Sequence, residues 1–285
     1  MRWPSNAFEK PPMKVSLIQM NSGSDKAANL ASAKQLIERA IELERPDWIA
    51  LPEVFDFMGG TRDEKMAAAE TLPDGPAYRL MQDLARTHGV FIHAGSILEK
   101  IPGEPRLGNT SVAFDRTGRE VARYRKIHMF DITTPDGKDY RESAAIKPGE
   151  HIVTYDCEGV RIGCAICYDL RFPALFQALM DRGAQMIVLP AAFTLQTGKD
   201  HWEVLCRARA IETETYFCAP GQTGTFKQNS ETRATYGHSL VVDPWGHVVA
   251  RASDGVGIVS ARIEPDLVRR VREMIPVAQH KVPLA

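Results

Sequence analysis

Cys167 stands in the run Arg161-Ile162-Gly163-Cys164-Ala165-Ile166-Cys167-Tyr168-Asp169-Leu170-Arg171-Phe172-Pro173. An apolar stretch of strand length ends at this cysteine, turns through four residues and restarts at a proline suited to the first turn of a helix. Open α/β sheets carry reactive groups at the C-terminal lip of buried strands, so the thiol is placed to act as a nucleophile. Packing is the competing account, because most free cysteines behave as small buried apolar residues. A nucleophilic thiol needs a base or cation beside it and a donor for the oxyanion it creates. The eight histidines, at 88, 93, 128, 151, 201, 238, 247 and 280, do not single out a partner. Two other groups hold more telling positions. Glu53 ends the apolar run Trp48–Pro52, and Lys126 follows a hairpin in the polar and aromatic segment Tyr124–Asp131. Taken singly, each reads more simply as a surface charge.

The elements that would position these groups alternate between strand and helix from residue 13 to about 275, the pattern of an α/β fold. Val15–Met20 and Trp48–Pro52 read as strands. Residues 25–44 place Leu30, Ala33, Ile37, Ala40 and Ile41 on one helical face, and Ala77–His88 repeats the spacing before a stop at Gly89. Asp200 with Glu203 reads as a capping box opening a long helix. A weak internal repeat is present. Trp48–Phe55 returns as Met186–Phe193, offset by 138 positions, and Ser111–Gly118 returns as Ser239–Gly246, offset by 128. Each copy of the second pair reads as a hairpin. Two related βα units packed sheet on sheet, with helices outside, follow from the shared order. No linker rich in Pro, Gly or Ser divides the chain, so residues 13–285 read as one domain behind a disordered N-terminal arm, 1–12.

Composition bounds the function. Of the 285 residues, 44% are apolar and 25% charged, which provides for a sizeable core. A formal net charge of −1 argues against a nucleic-acid or anionic-lipid partner. No window approaches a membrane span, and the first twelve residues lack the apolar core of a signal peptide. Five cysteines, an odd number without a small-domain framework, favour a reducing compartment, hence the cytoplasm.

Leu51-Pro52-Glu53, Arg125-Lys126-Ile127-His128 and Cys167-Tyr168-Asp169-Leu170-Arg171-Phe172-Pro173 resemble the three signature segments of the nitrilase superfamily of carbon–nitrogen hydrolases. Order and spacing match, with 73 positions from Glu53 to Lys126 and 41 from Lys126 to Cys167. The resemblance runs from Val15 to His280 and takes in Arg141-Glu142-Ser143, Phe193–Trp202, Arg207–Glu212 and Tyr236–Gly246. It implies a four-layer αββα sandwich, dimerised through helices into a homodimer or higher homo-oligomer, and no metal or organic cofactor. It assigns Cys167 as nucleophile, Glu53 as general base, and Lys126 with the backbone N–H of Tyr168 as oxyanion donors. Glu142 matches a second glutamate that positions Lys126 and the substrate. The Cys-Tyr-Asp-Leu-Arg-Phe-Pro run and the 193–202 pattern resemble most the amidases of deaminated glutathione, then the ω-amidases. Both act on small amides that bear carboxylates. In that branch Arg171 would clamp the substrate carboxylate in its guanidinium fork, or else form an ion pair with Asp169 or a helix end. Phe193 and Thr194 would line the mouth. Thr223–Arg233 is longer and more polar than the branch leads one to expect.

Three other readings compete. A nitrilase would use the same triad on a nitrile. Cys164 and Cys167 form a C-x-x-C, which would suit a thiol oxidoreductase, although residues three apart on a continuous strand point to opposite faces. A non-catalytic binding protein on the same fold is the third.

Overall fold

A computed structural model describes residues 12–134, 137 and 139–282; the expected N-terminal arm, Pro12 apart, lies outside them. Two sheets form the centre. In the first, Met13–Gln19 pairs in parallel with Trp48–Ala50, which pairs in parallel with Phe91–His93, and Gly257–Ile263 runs antiparallel along the outer side of Met13–Gln19. Leu107–Phe114 then takes Phe91–His93 and Ile97–Lys100 along one edge and Glu120–Arg125 along the other. The second sheet runs Val248–Arg251, Leu240–Val242, Tyr216–Ala219, Met186–Val188, Val160–Cys164, Thr154–Cys157, again with three parallel strands at its centre.

The repeat therefore maps onto matched places. Trp48–Ala50 and Met186–Val188 are each the middle parallel strand of their sheet, and the two hairpins lie beyond the third. Strand alternation then divides the residues between two cores. Val15, Leu17, Trp48 and Ala50 meet Ile162, Cys164, Met186 and Val188 between the sheets. Their neighbours Ile18 and Ile49 point the other way, onto Ala33, Ile37, Ala40, Met81 and Leu84 of the helices Lys26–Glu44 and Pro76–His88. Helices Pro173–Asp181 and Leu195–Thr213 cover the far face of the second sheet. The result is a four-layer αββα sandwich. Trp48 Nε1 donates to the Tyr155 hydroxyl at 2.9 Å and ties the two sheets together.

Two boundaries differ from the sequence reading. The long helix begins at Leu195, five residues before Asp200, with Thr194 as its extended N-cap. Gly198 explains the early start: a Cβ there would lie 2.3 Å from Tyr236 Cβ, so glycine lets the first turns press on the Glu231–Tyr236 strand. The strand before Cys167 stops at Cys164, and Cys167 opens a 3₁₀ turn, Cys167–Arg171. Cys164 and Cys167 are both free thiols, but the continuous strand invoked against pairing them is not what separates them.

Candidate active site

Glu53 and Cys167 follow the C-terminal ends of parallel strands, one from each sheet, where α/β folds place their chemistry. Unusual backbone holds Cys167 and the residue that follows Glu53. Cys167 has φ 46 and Val54, directly after Glu53, has φ 45, a region that costs a β-branched residue of order 1–3 kcal/mol. The surroundings enforce it. Cys167 N–H donates to Pro190 O at 2.9 Å, Val54 N–H to Ser96 Oγ at 2.9 Å, and Gln222 Nε2 to Glu53 O at 3.0 Å. Gly95, at φ 48, backs the same corner; a Cβ there would lie 2.0 Å from Pro52 O.

The charged groups form one buried cluster. Lys126 Nζ, 2% exposed, lies 3.0 Å from Glu53 Oε1 and 3.0 and 2.9 Å from the two oxygens of Glu142. Asn109 Nδ2 donates to the same Glu53 oxygen at 2.9 Å, and Ala192 N–H donates to Glu53 Oε2 at 2.8 Å. Phe130 N–H fixes Glu142 from outside at 2.7 Å. Burial opposes the ammonium, yet the charges of Glu142 and Glu53 outweigh it and hold Lys126 well above its usual pKa. Burial and the adjacent Glu53 carboxylate push the Cys167 thiol well up, against the pull of Lys126. The resting site thus favours a neutral thiol beside a carboxylate and a permanent cation.

A second buried carboxylate clasps the Cys167–Arg171 turn to the lysine segment. Asp169, fully buried, accepts from Ile166 N–H at 2.8 Å and the Tyr124 hydroxyl at 2.6 Å through Oδ2. Its Oδ1 takes His128 N–H at 3.1 Å and lies 2.7 Å from His128 Nδ1. Tyr124 and His128 flank Lys126 in the chain, so the clasp sets the thiol and ammonium relative to each other. A pocket opens over this cluster. Its lining includes Glu53, Lys126, Glu142, Cys167, Tyr168, Phe193 and Thr194. Among the described residues no group of His, Cys, Asp or Glu is arranged to hold a metal ion, and no helix is long and apolar enough to cross a membrane.

Residues 14–273 match the family model described as carbon-nitrogen hydrolase. The chain belongs to the carbon–nitrogen hydrolase family. It is 38% identical over 274 residues to a deaminated glutathione amidase of Synechocystis, covering 95% of this chain and 98% of that one. It is 34% identical over 276 residues to the omega-amidase NIT3 of Saccharomyces cerevisiae, covering 94% and 93%. Among solved structures, the Caenorhabditis elegans NitFhit protein superposes with a TM-score of 0.87 at 39% identity, covering 95% of this chain. This chain spans 65% of that protein's length. This carbon–nitrogen hydrolase is accordingly an amidase, an enzyme acting on carbon–nitrogen bonds other than peptide bonds, and not a thiol oxidoreductase or a binding module.

Seven of the eight residues singled out by sequence line this pocket. Arg171 does not. It is absent from the lining; its guanidinium lies 5.4 Å over the Phe193 ring, and Nη2 sits 3.2 Å from His201 Nδ1. The alternative pairing with Asp169 does not form either, because Tyr124 and His128 already occupy that carboxylate. Sequence reasoning missed Asp169, Asn109 and Lys65. Asp169 was visible inside the nucleophile motif. Asn109 lies mid-strand and Lys65 on a short helix, neither with a local signal.

Proposed function

We propose that the enzyme releases ammonia from a small, carboxylate-bearing amide, of the deaminated-glutathione or ω-amide kind, through a thioester on Cys167. The observation that carries this is the single buried ammonium of Lys126 held between Glu53 and Glu142 beside the thiol. The relatives' names supply the substrate class.

The steps follow from the groups. As Cys167 sulfur bonds to the amide carbon, its proton passes to Glu53 and the carbonyl electron pair moves onto oxygen. One Lys126 N–H faces Glu53 and a second is shared by the Glu142 oxygens; the third, with Tyr168 N–H, meets the oxyanion. Such a donor is worth about 3–4 kcal/mol of barrier. On collapse the C–N bond breaks, nitrogen takes the proton from Glu53, and ammonia leaves. Water then loses a proton to Glu53 and attacks the thioester; collapse expels sulfur, which recovers that proton. Glu142 keeps Lys126 charged and aimed. Phe193 and Thr194 hold the substrate body. No step requires a metal or organic cofactor.

Around this site we read 13–285 as one domain that acts in the cytoplasm, a reading supported by five free cysteines. It self-associates through outer helices, where Val204 and Ile211 are 66% and 49% exposed.

The test is ammonia release from deaminated glutathione, α-ketoglutaramate and other ω-amides, with nitriles included. Turnover of a carboxylate-bearing amide that vanishes in Cys167→Ala is expected. Preference for nitriles, or equal silence in both proteins, overturns the proposal.

A further inference from the structure

The expected carboxylate clamp, Arg171, lies outside the pocket, so an anionic substrate needs another cation. The lining contains three: Lys126, Arg141 and Lys65. Lys126 is taken by two glutamates, and Arg141 pairs with Asp139 at 3.6 Å. Lys65, on the helix Arg62–Ala68, has no ion pair or side-chain hydrogen bond among the described residues; Glu142 and Arg233 reach it only through space. An ammonium partly withdrawn from water without a partner is costly, and an incoming anion removes that cost.

A second observation points to the same place. Arg233 is nearly buried, and its Nε and Nη1 have no hydrogen-bond partner. Its guanidinium lies 4.2 Å over the ring of Tyr140, a pocket-lining residue. Its other nitrogen, Nη2, is shared between Glu231 Oε2 at 3.1 Å and Asp139 O at 3.4 Å. Two cations with spare donors thus stand at one wall, formed by the helix Arg62–Ala68 and the strands Asp139–Arg141 and Glu231–Tyr236. The last of these belongs to the segment that departs from the resembled branch.

We propose that Lys65 anchors the substrate carboxylate while the amide lies at Cys167, with Arg233 adding positive potential from behind Tyr140. This rests on the amidase reading and deepens it. Lys65 is then a specificity residue: it discriminates acids from neutral amides and takes no part in bond making.

The experiment pairs a dicarboxylic acid monoamide with its methyl ester, identical at the amide and differing only in charge. In Lys65→Met the ratio of kcat/KM for acid over ester falls about 10- to 100-fold, the range for a hydrogen bond to a charged group. Lys65→Arg restores most of it, and Arg171→Met keeps the ratio within about 3-fold. Binding of the dicarboxylate product to Cys167→Ala, followed by calorimetry, reads the same subsite without turnover and weakens about as much when Lys65→Met is added. An unchanged ratio and unchanged product affinity in Lys65→Met overturn the proposal, as does an equal loss on acid and ester. A wild type that binds the dicarboxylate through Lys65 but hydrolyses neither amide overturns the amidase reading instead.

Discussion

Asp169→Asn is the substitution that best tests how the site is held. The carboxylate accepts from Ile166 N–H and Tyr124 on one oxygen and faces His128 N–H and Nδ1 on the other. An asparagine can present its oxygen to only one of these pairs. Whichever way the amide turns, its NH₂ meets a backbone N–H, that of Ile166 or that of His128. One buried donor is then left unsatisfied, at about 1–3 kcal/mol. The surviving bonds fall from charge-assisted to neutral strength, about 1 kcal/mol each for two or three bonds. The expected loss is about 3–6 kcal/mol, read as the difference in urea unfolding free energy between variant and wild type. Because Ile166 precedes the nucleophile, kcat falls more than KM rises. A stability loss under about 1 kcal/mol together with a kcat within 3-fold of wild type refutes the clasp, since no arrangement of the amide satisfies both backbone donors.

Two further predictions concern charge. Glu53→Gln removes the base but also a negative charge that raises the Cys167 thiol, so amide turnover falls by about 10²–10⁴ while iodoacetamide alkylates Cys167 faster at neutral pH. Parallel losses in both assays rule this out. Asp56 is fully buried beside Lys26, and burial, opposed by that ammonium, pushes it up to about 6. The folded protein therefore binds this proton more tightly than the unfolded chain, and the contribution of Asp56 to stability falls as pH rises from about 4 to about 6. Asp56→Asn gains on wild type by about 3 kcal/mol across that window in urea unfolding; parallel stability curves contradict the assignment.

What the sequence made legible was local or periodic. The helices Lys26–Glu44 and Pro76–His88 follow the amphipathic spacing read from sequence, and the second stops at Gly89, because such spacing and C-terminal stops are written in neighbouring residues. Glu53, Lys126 and Cys167 were legible as a set only through the resemblance of their three segments, in order and spacing, to the nitrilase signatures, and each follows a strand that sequence reading had already drawn. The helix start at Leu195 was not, because the contact of Gly198 with Tyr236 is tertiary and overrides the local cap at Asp200. Arg171 misled for a related reason. Four residues past the nucleophile suggested a shared mouth, but the 3₁₀ turn carries its side chain onto the outer side of Phe193.

The internal repeat explains why the site is asymmetric. Glu53 ends the middle strand of the first sheet, and the matching position in the second is Ala191, fully buried. The next residue, Ala192, turns its backbone N–H onto Glu53 Oε2 at 2.8 Å, so the two equivalent strand ends meet directly. The second half thus presents a neutral backbone donor, not a second carboxylate, to Glu53. The duplicated frame brings two strand ends together, with a carboxylate on one and a neutral backbone donor on the other.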